Sequence, residues 1–267
     1  MWKLFKYEVL LAAVFLPAVS CSVKEDRGEC PLFVYFNEDV NPHGSTTSAT
    51  VRMVRGSEMT ECGAFPMEEF MDEYFCVKTR RGANTCSVVC GGVLMGRNVI
   101  FRDGEAVPEV YALCESFETS PEQEEYCVRE ALCRQVAPVT LRLRSDEGAE
   151  LGLRVRSFWA GFDFETLEPV AGDLTIDLDA LRASEEDDCR VMTFNVPRQG
   201  DDSMVLEFLR DGVVAGRYRL GEASVTAGYD WSAKHLEPLS LSVSYSIVET
   251  LVDVEDWEVE VTFDYTI

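Results

Sequence analysis

Alternation of apolar and polar residues with a period of two is the strongest pattern in the chain. Over 239–247, Leu, Leu, Val, Tyr and Ile alternate with four serines, and over 259–267 a similar apolar set alternates with Glu, Thr, Asp and Thr. Shorter runs at 139–144 and 151–155 repeat the pattern. Such alternation predicts strands with one buried face and one solvent face.

Turn signals separate these runs at intervals of about ten residues, a spacing typical of β-sandwiches. The clearest is Asp211-Gly212, which lies between the apolar stretches 204–209 and 213–220 and predicts a hairpin with a two-residue type I′ turn. The chain contains no GxGxxG motif, no P-loop and no long amphipathic helix. We therefore predict an all-β fold built from sandwiches.

The N-terminus has the pattern of a secretory signal. Lys3 and Lys6 precede an apolar run at 9–19, which is about half the length that a membrane-spanning helix needs. Ala-Val-Ser at 18–20 then precedes Cys21, and this boundary resembles the lipobox of bacterial lipoproteins. We expect 1–20 to be a lipoprotein signal peptide and Cys21 to carry acyl chains such as palmitate. The alternative is a plain signal peptide with an incidental cysteine.

The residues after Cys21 predict how the mature chain is organised. Ser-Val-Lys-Glu-Asp-Arg at 22–27 resembles the charged export tag of surface lipoproteins of the Bacteroidia, although an ordinary solvated tether explains it nearly as well. We assign 21–30 to a lipidated tether, 31–136 to an N-terminal β-sandwich domain and 137–267 to a C-terminal one. The boundary lies where the cysteine-rich half ends.

Charge and histidine content exclude several classes of function. Asp and Glu number 48 against 24 Lys and Arg, which gives a formal net charge of −24. Such a field repels phosphate backbones, so no nucleic-acid partner is expected. The chain has only two histidines, which leaves little material for histidine-based catalysis or metal cages.

Nine cysteines besides Cys21 lie in a chain that is expected to be exported. An odd number leaves at least one thiol free or bound to another molecule, and the pairing is open. No CxxC pair occurs, which argues against a zinc site, and we expect no bound metal. Cys86, Val88 and Cys90 share one face of a predicted strand, which is typical of small apolar residues in a core.

No arrangement of residues predicts an active site, so we expect no catalytic residue, no cofactor and no enzymatic activity. The hydroxyl-rich stretch 45–48 beside His43 is typical of a solvated loop, and Asp177 and Asp179 are one of many acidic pairs that chance supplies. Three tryptophans, at 159, 231 and 257, could form a sugar-stacking platform. Single tryptophans at strand ends are more often core residues, which is the interpretation that we favour.

Both ends of the chain resemble the FimB-type fimbrial anchor subunits, which are lipoproteins of the Bacteroidia. At the start, Cys21 and its charged tag are followed by Cys30-Pro31 and an apolar strand. At the end, Gly-Tyr-Asp-Trp at 228–231 precedes the strand at 239–248 and then Val-Asp-Val-Glu-Asp-Trp at 252–257. The resemblance is looser in the middle of the chain, and none of its motifs is catalytic.

This resemblance implies two tandem transthyretin-like Greek-key β-sandwich domains on the outer face of the cell outer membrane. It implies an anchor at the base of a fimbrium, held in the membrane lipid by acylated Cys21 and joined to a stalk subunit by strand addition. A dibasic pair, Arg80-Arg81, is more simply an exposed turn than a processing site, which favours an anchor over a stalk subunit. The alternatives are a glycan-binding surface lipoprotein and an accessory or tip adhesin.

Overall fold

The computed structural model describes residues 30–36, 48–72, 74–145, 152–178, 183–186, 189–245, 249–255 and 263–266. Strands of the first half are β1 (Pro31–Phe36), β2 (Ser48–Arg55), β3 (Glu58–Pro66), β4 (Cys76–Arg80), β5 (Ala83–Cys90), β6 (Val93–Met95), β7 (Asn98–Ile100), β8 (Tyr111–Glu118), β9 (Glu125–Val128) and β10 (Cys133–Arg134). A short helix, α1 (Met67–Phe70), follows β3.

The described residues of the second half contain ten further strands and one helix. The strands are β11 (Val136–Ser145), β12 (Gly152–Asp163), β13 (Pro169–Asp177), β14 (Ala183–Glu186), β15 (Cys189–Pro197), β16 (Val205–Arg210), β17 (Val213–Tyr218), β18 (Leu239–Tyr245), β19 (Glu249–Glu255) and β20 (Phe263–Thr266). The helix, α2 (Leu220–Thr226), follows β17. The predicted all-β fold class is confirmed.

Two sheets in the first half enclose one hydrophobic core. Their strand orders are β4-β1-β9 and β10-β8-β5-β2-β3. Alternate residues of each strand face the core, as the period of a strand requires. The core takes Leu32 and Val34 from the three-stranded sheet, and it takes Val51, Val88 and Leu113 from the five-stranded sheet.

The second core lies between two larger sheets. One has the order β14-β15-β11-β18-β19-β20, and the other has the order β17-β16-β12-β7-β6 with β13 on the opposite side of β12. Their alternate residues meet in one cluster, which includes Leu141, Leu153, Leu206 and Leu241. The second sandwich therefore buries the apolar positions that the alternation marked at 139–143, 153–155 and 239–243.

The predicted hairpin is confirmed. Strands β16 and β17 pair antiparallel, and both residues of the turn between them have positive φ, 51° at Asp211 and 75° at Gly212. Positive φ at both central residues is the requirement of a type I′ turn.

Strands β6 and β7 come from the first half of the chain but pair into the second pair of sheets. β7 pairs with β12 through Ile100 and Gly161, and Val99 belongs to the second core. The chain passes from β10 to β11 at the fully buried Gln135, close to the predicted boundary. The division into two domains at residue 137 stays a prediction.

Side chains from the two halves of the chain touch directly. The guanidinium of Arg52 lies 4.8 Å from the centre of the Phe164 ring and donates a hydrogen bond to the Gly96 carbonyl. The Cys114 thiol donates to the Glu165 carbonyl at 2.6 Å. Since Arg52 is only 5% exposed, these contacts lie in a buried interface.

Two further expectations from the sequence concern local structure: the acidic residues at 122–125 and 185–188 are expected in loops or short helices, and 126–134 is open between a strand and a helix. The first needs correction, because residues 185–186 belong to strand β14 and Glu125 begins β9. For the second, 126–128 and 133–134 lie in β9 and β10, and no helix forms there. Glu125 is exposed in its strand, and solvent-facing strand positions accept charge as readily as loops do.

Candidate functional site

The predicted lipidation site, Cys21, lies outside the described residues, so its acylation stays a prediction, as do the signal peptide and the tether. Strand β1 starts at Pro31, ten residues after Cys21. A fully extended chain spans at most about 3.6 Å per residue, so Pro31 lies within about 36 Å of that cysteine. Among the described residues, no helix is both long and apolar enough to cross a bilayer.

A seam between two strand edges opens beside Pro31. Strands β4 and β3 are edge strands of the two sheets of the first half, and their outer edges have no strand partner among the described residues. A cavity of about 290 Å³ lies between them. It is lined by Pro31, Met53, Arg55, Glu58, Thr60, Lys78, Thr79 and Arg80.

The seam combines an apolar floor with charged walls. Met53, on β2, is 2% exposed and belongs to the first core. Lys78 and Arg80 are exposed on β4, and the Lys78 ammonium lies 5.4 Å from the centre of the Phe33 ring. Edge strands with unpaired backbone groups accept a further strand, and charged side chains limit unspecific pairing. The seam therefore has the features of a strand-addition site.

The edges of the second half differ from this seam. On β13, the Gly104 N–H donates to the Thr175 carbonyl at 2.9 Å, and the Thr175 N–H donates to Asp103 Oδ1 at 2.7 Å. A loop therefore covers this stretch of the β13 edge. Strand β17 has no further strand partner among the described residues, and its first residue, Val213, is 69% exposed.

The dibasic pair is only partly the exposed turn that the sequence predicts. Arg80 is exposed, but Arg81 is 7% exposed, donates a hydrogen bond to the Pro121 carbonyl and lies 4.0 Å from a carboxylate oxygen of Glu124. The prediction of an exposed turn fails at Arg81 because its side chain points inward and contacts the loop at 121–124. A protease that recognises arginine side chains therefore does not reach Arg81 in the folded chain.

The cysteines of the first half are thiols, several of them in the core. Eight are described, and no disulfide joins any of them: Cys30, Cys62, Cys76, Cys86, Cys90, Cys114, Cys127 and Cys133. Cys86, Val88 and Cys90 are all fully buried in the first core, as predicted. Burial raises the pKa of the Cys86 thiol well above its ordinary value and raises the pKa of Cys90 to about 12. Both thiols are therefore kept protonated.

The tryptophans differ in their surroundings, and Trp257 lies outside the described residues. Trp231 is 6% exposed, packs 4.6 Å from the Tyr229 ring and donates to the Ser224 hydroxyl, so the prediction of a core residue is confirmed for it. Trp159 is half-buried and donates to Asp201 Oδ1 at 3.0 Å. Both tryptophans line a second cavity, which sequence reasoning missed because its walls come from four separate segments.

Of the residues that could suggest catalysis, His43, Asp179 and the residues 45–47 of the hydroxyl-rich stretch lie outside the described residues. Asp177 is exposed at the end of β13. In the described part of the chain, no group of three or more His, Cys, Asp or Glu side chains is placed to hold a metal ion. The expectation that the protein is not an enzyme stays a prediction.

Comparison with solved structures identifies the fold. No protein-family model and no curated protein matches the sequence. The fimbrial anchor protein Mfa2 from Porphyromonas gingivalis aligns with a TM-score of 0.59 at 10% identity, covering 88% of this chain and 100% of that one. A candidate polysaccharide-binding protein from Bacteroides thetaiotaomicron gives 0.59 at 10% identity, over 90% and 98%. A candidate adhesin from the same species gives 0.56 at 13% identity, over 85% and 96%.

These matches extend over nearly the whole of each chain, so both pairs of sheets are shared. Sequence identities of 10–13% in these alignments support a shared fold but not a shared activity. The chain therefore has an all-β sandwich fold that it shares with the fimbrial anchor protein Mfa2 and with the two Bacteroides proteins.

Proposed function

We propose that this protein is a fimbrial subunit at the cell surface, anchored in the outer membrane by a lipid on Cys21, and that it holds the base of a fimbrium. The observation that carries the proposal is the fold shared with Mfa2 over all of that anchor protein. The signal-like start, Cys21 and the charged tag at 22–27 supply the means of attachment.

The proposed anchor would be held by the burial of its acyl chains in the membrane lipid. Each buried methylene contributes about 0.8 kcal/mol, and one acyl chain holds a protein only marginally, so stable attachment needs more than one chain. Three acyl chains on one cysteine meet that requirement. The short tether would keep Pro31, the first residue of β1, within about 36 Å of the lipidated cysteine, because only nine residues separate Cys21 from Pro31.

The seam between β3 and β4 is the proposed place where the stalk subunit adds a strand. Backbone N–H and C=O groups along both edges would pair with an extended segment, which gives strength to the joint. The cavity of about 290 Å³ with Met53 at its floor would take an apolar side chain of that segment. Lys78 and Arg80 favour a segment with acidic flanks.

Attachment can be tested with Cys21→Ser, with Ser22→Ala as the control at the neighbouring position. Cells that express Cys21→Ser are expected to lose incorporation of an alkyne-labelled palmitate into this protein and to shed fimbriae into the medium. Cells with Ser22→Ala are expected to retain both. Fimbriae that stay attached and of normal length in a strain without this protein would contradict the anchor role.

The joint can be tested by placing a photo-crosslinking amino acid at Thr60 in the seam, and at Val213 on the open β17 edge for comparison. The stalk subunit is expected as an adduct of the Thr60 position only. An adduct from Val213 alone would move the joint to the second pair of sheets. Immunogold labelling of intact fimbriae adds a second measurement, because label at the free tip would instead favour an accessory or tip subunit.

A further inference from the structure

A second cavity, of about 630 Å³, lies in the second half of the chain, away from the seam. Its walls come from the end of β12, the turn that follows it, the segment after β15 and the loop after α2. Ligand-binding pockets have volumes of about 300–1,000 Å³, with aromatic walls and a few polar groups. Six lining residues carry the argument: Trp159, Glu168, Arg198, Gly200, Trp231 and Lys234.

Arg198 places a buried positive charge in the wall of this cavity. The residue is 5% exposed, and its guanidinium donates to Gln135 Oε1 and to the carbonyls of Trp231 and Lys234. These acceptors are neutral, and no carboxylate of a described residue forms an ion pair with it. A buried charge without a counter-charge is costly, which argues for an anionic ligand.

One donor of the guanidinium is left over. Arg198 has five N–H groups, and its bonds use the one on Nε, both on Nη2 and one on Nη1. The remaining Nη1 N–H has no acceptor among the described residues. An arginine donor with an available N–H is well suited to a carboxylate oxygen.

The aromatic walls are held in fixed positions. Trp159 donates its Nε1–H to Asp201, and Gly200 packs so closely on the indole that an added Cβ would lie 2.4 Å from the ring. Trp231 is fixed from behind by its bond to Ser224. Fixed indole faces provide flat apolar surfaces, and the C–H face of a sugar ring has the matching shape.

Arg198 is the charged side chain that distinguishes this cavity, because the other charged groups near it are paired, hydrogen-bonded or exposed. The Lys234 ammonium is paired with the Glu130 carboxylate, and Glu168 is exposed at the rim. Asp230 interacts electrostatically with Arg198 but forms no ion pair with it, and its carboxylate accepts hydrogen bonds from Ser232. In a chain of net charge −24, a buried arginine without an ion-pair partner among the described residues is a local exception to the general repulsion of anions.

We propose that this cavity binds an acidic saccharide. The sugar ring would stack on Trp159, and its carboxylate would accept a hydrogen bond from Nη1 of Arg198. Neutral sugars would keep the stacking and lose the charge-assisted bond. This inference is independent of the anchor role, since the cavity involves neither Cys21 nor the seam.

The test is a titration of the full chain, purified in detergent, with trigalacturonate and with the uncharged galactotriose, followed by calorimetry and tryptophan fluorescence. Trigalacturonate is expected to bind and galactotriose to bind about tenfold more weakly or not at all. Trp159→Ala is expected to weaken trigalacturonate binding about tenfold. Phe158→Ala is the matched control, because Phe158 is the preceding residue of β12, is 49% exposed and does not line the cavity.

Arg198→Lys is a second variant that keeps the charge and removes the planar fork, and circular dichroism establishes whether it folds. A folded Arg198→Lys protein is expected to lose its preference for the acidic ligand. Equal affinity for both trisaccharides in the wild type would overturn the proposal, and so would the absence of binding to either. Unchanged affinity in Trp159→Ala, or an equal loss in Phe158→Ala, would also overturn it.

Discussion

The surroundings of each cysteine, and not its residue type, decide what its thiol can do. Cys90 lies in the first core, where burial raises its pKa to about 12, whereas Cys127 is exposed on the edge strand β9. The thiolate is the reactive form of cysteine, so access and pKa together determine reactivity. The eight described cysteines should therefore differ widely in reactivity.

At the scale of single residues we predict selective alkylation. Iodoacetamide at pH 8 is expected to modify Cys127 while Cys90 reacts at least about a hundredfold more slowly. Peptide mass spectrometry of the folded protein measures both sites in one sample. The same reaction in urea is the control, because unfolding should make the two rates similar. Equal rates in the folded protein would show that the first core opens readily.

The β16–β17 hairpin depends on its turn glycine. Gly212 has φ of 75°, a conformation that side chains with a Cβ rarely adopt, and no atom lies near an added Cβ. Gly212→Ala is expected to lower the free energy of unfolding by about 1 kcal/mol, measured by urea denaturation. Gly216→Ala in β17 is the matched control, since its φ is ordinary and its Cβ would lie 3.7 Å from Phe208. If Gly216→Ala lowered the free energy of unfolding more than Gly212→Ala does, packing and not the turn conformation would explain the effect.

A charged ladder joins the three strands β12, β16 and β17. Glu207 is 1% exposed and accepts hydrogen bonds from Arg154 at 2.5 Å and Arg217 at 2.8 Å. Burial raises the pKa of the Glu207 carboxyl, but the bonds from Arg217 and Arg154 outweigh this and hold the pKa below its ordinary value. The carboxylate is thus a stabilising element of the sheet at neutral pH.

Glu207→Gln is expected to lower the free energy of unfolding by about 2 kcal/mol at pH 7. Because the folded pKa is lowered, the contribution is present above the unfolded value of about 4.3 and is lost as pH falls through the folded pKa. In urea denaturation, the stabilities of the wild type and the variant should therefore converge as the pH falls below the lowered pKa of Glu207. Glu222→Gln is the control, since its exposed ion pair with Arg219 is worth less than about 1 kcal/mol.

At the scale of the whole molecule, Arg52 connects the two cores. Arg52→Leu is expected to lower the free energy of unfolding by about 2 kcal/mol, because it removes both the Phe164 contact and the hydrogen bond to Gly96. Calorimetry is also expected to show a broader or split transition. Arg55→Leu on the same strand is the control, since Arg55 is half-buried in the seam, away from that contact. Equal losses of unfolding free energy in Arg52→Leu and Arg55→Leu would show that the contact between the two halves of the chain has no special role in stability.

Some elements of the fold were missed from sequence. The hairpin of β2 and β3 lacks clean alternation, because buried Arg52 interrupts the polar face and Cys62 lies at a bulge opposite Val51 and Arg52. The apolar stretch 213–220 predicts a strand as far as Leu220, whereas β17 ends at Tyr218 and helix α2 begins at Leu220. Both errors arise where a contact distant in sequence outweighs the local pattern.

The candidate sites were predictable only in part. Cys21 and its tag are local motifs, which sequence reasoning can find unaided. The seam needs β3 and β4 to lie at edges of facing sheets, which no local pattern states. The wall of the second cavity brings together Trp159, Arg198 and Trp231 across more than seventy residues of chain.

The sequence by itself determined which residues face a core. A period of two identifies the buried face of each strand, and Asp211-Gly212 determines its own turn, because both effects act within a few residues. Tertiary structure alone decided what each face packs against. The parallel pairing of β11 with β18 and the passage of β6 and β7 into the second pair of sheets are examples. Apolar burial has no direction, so many partners satisfy one strand, and only the whole set of contacts selects among them.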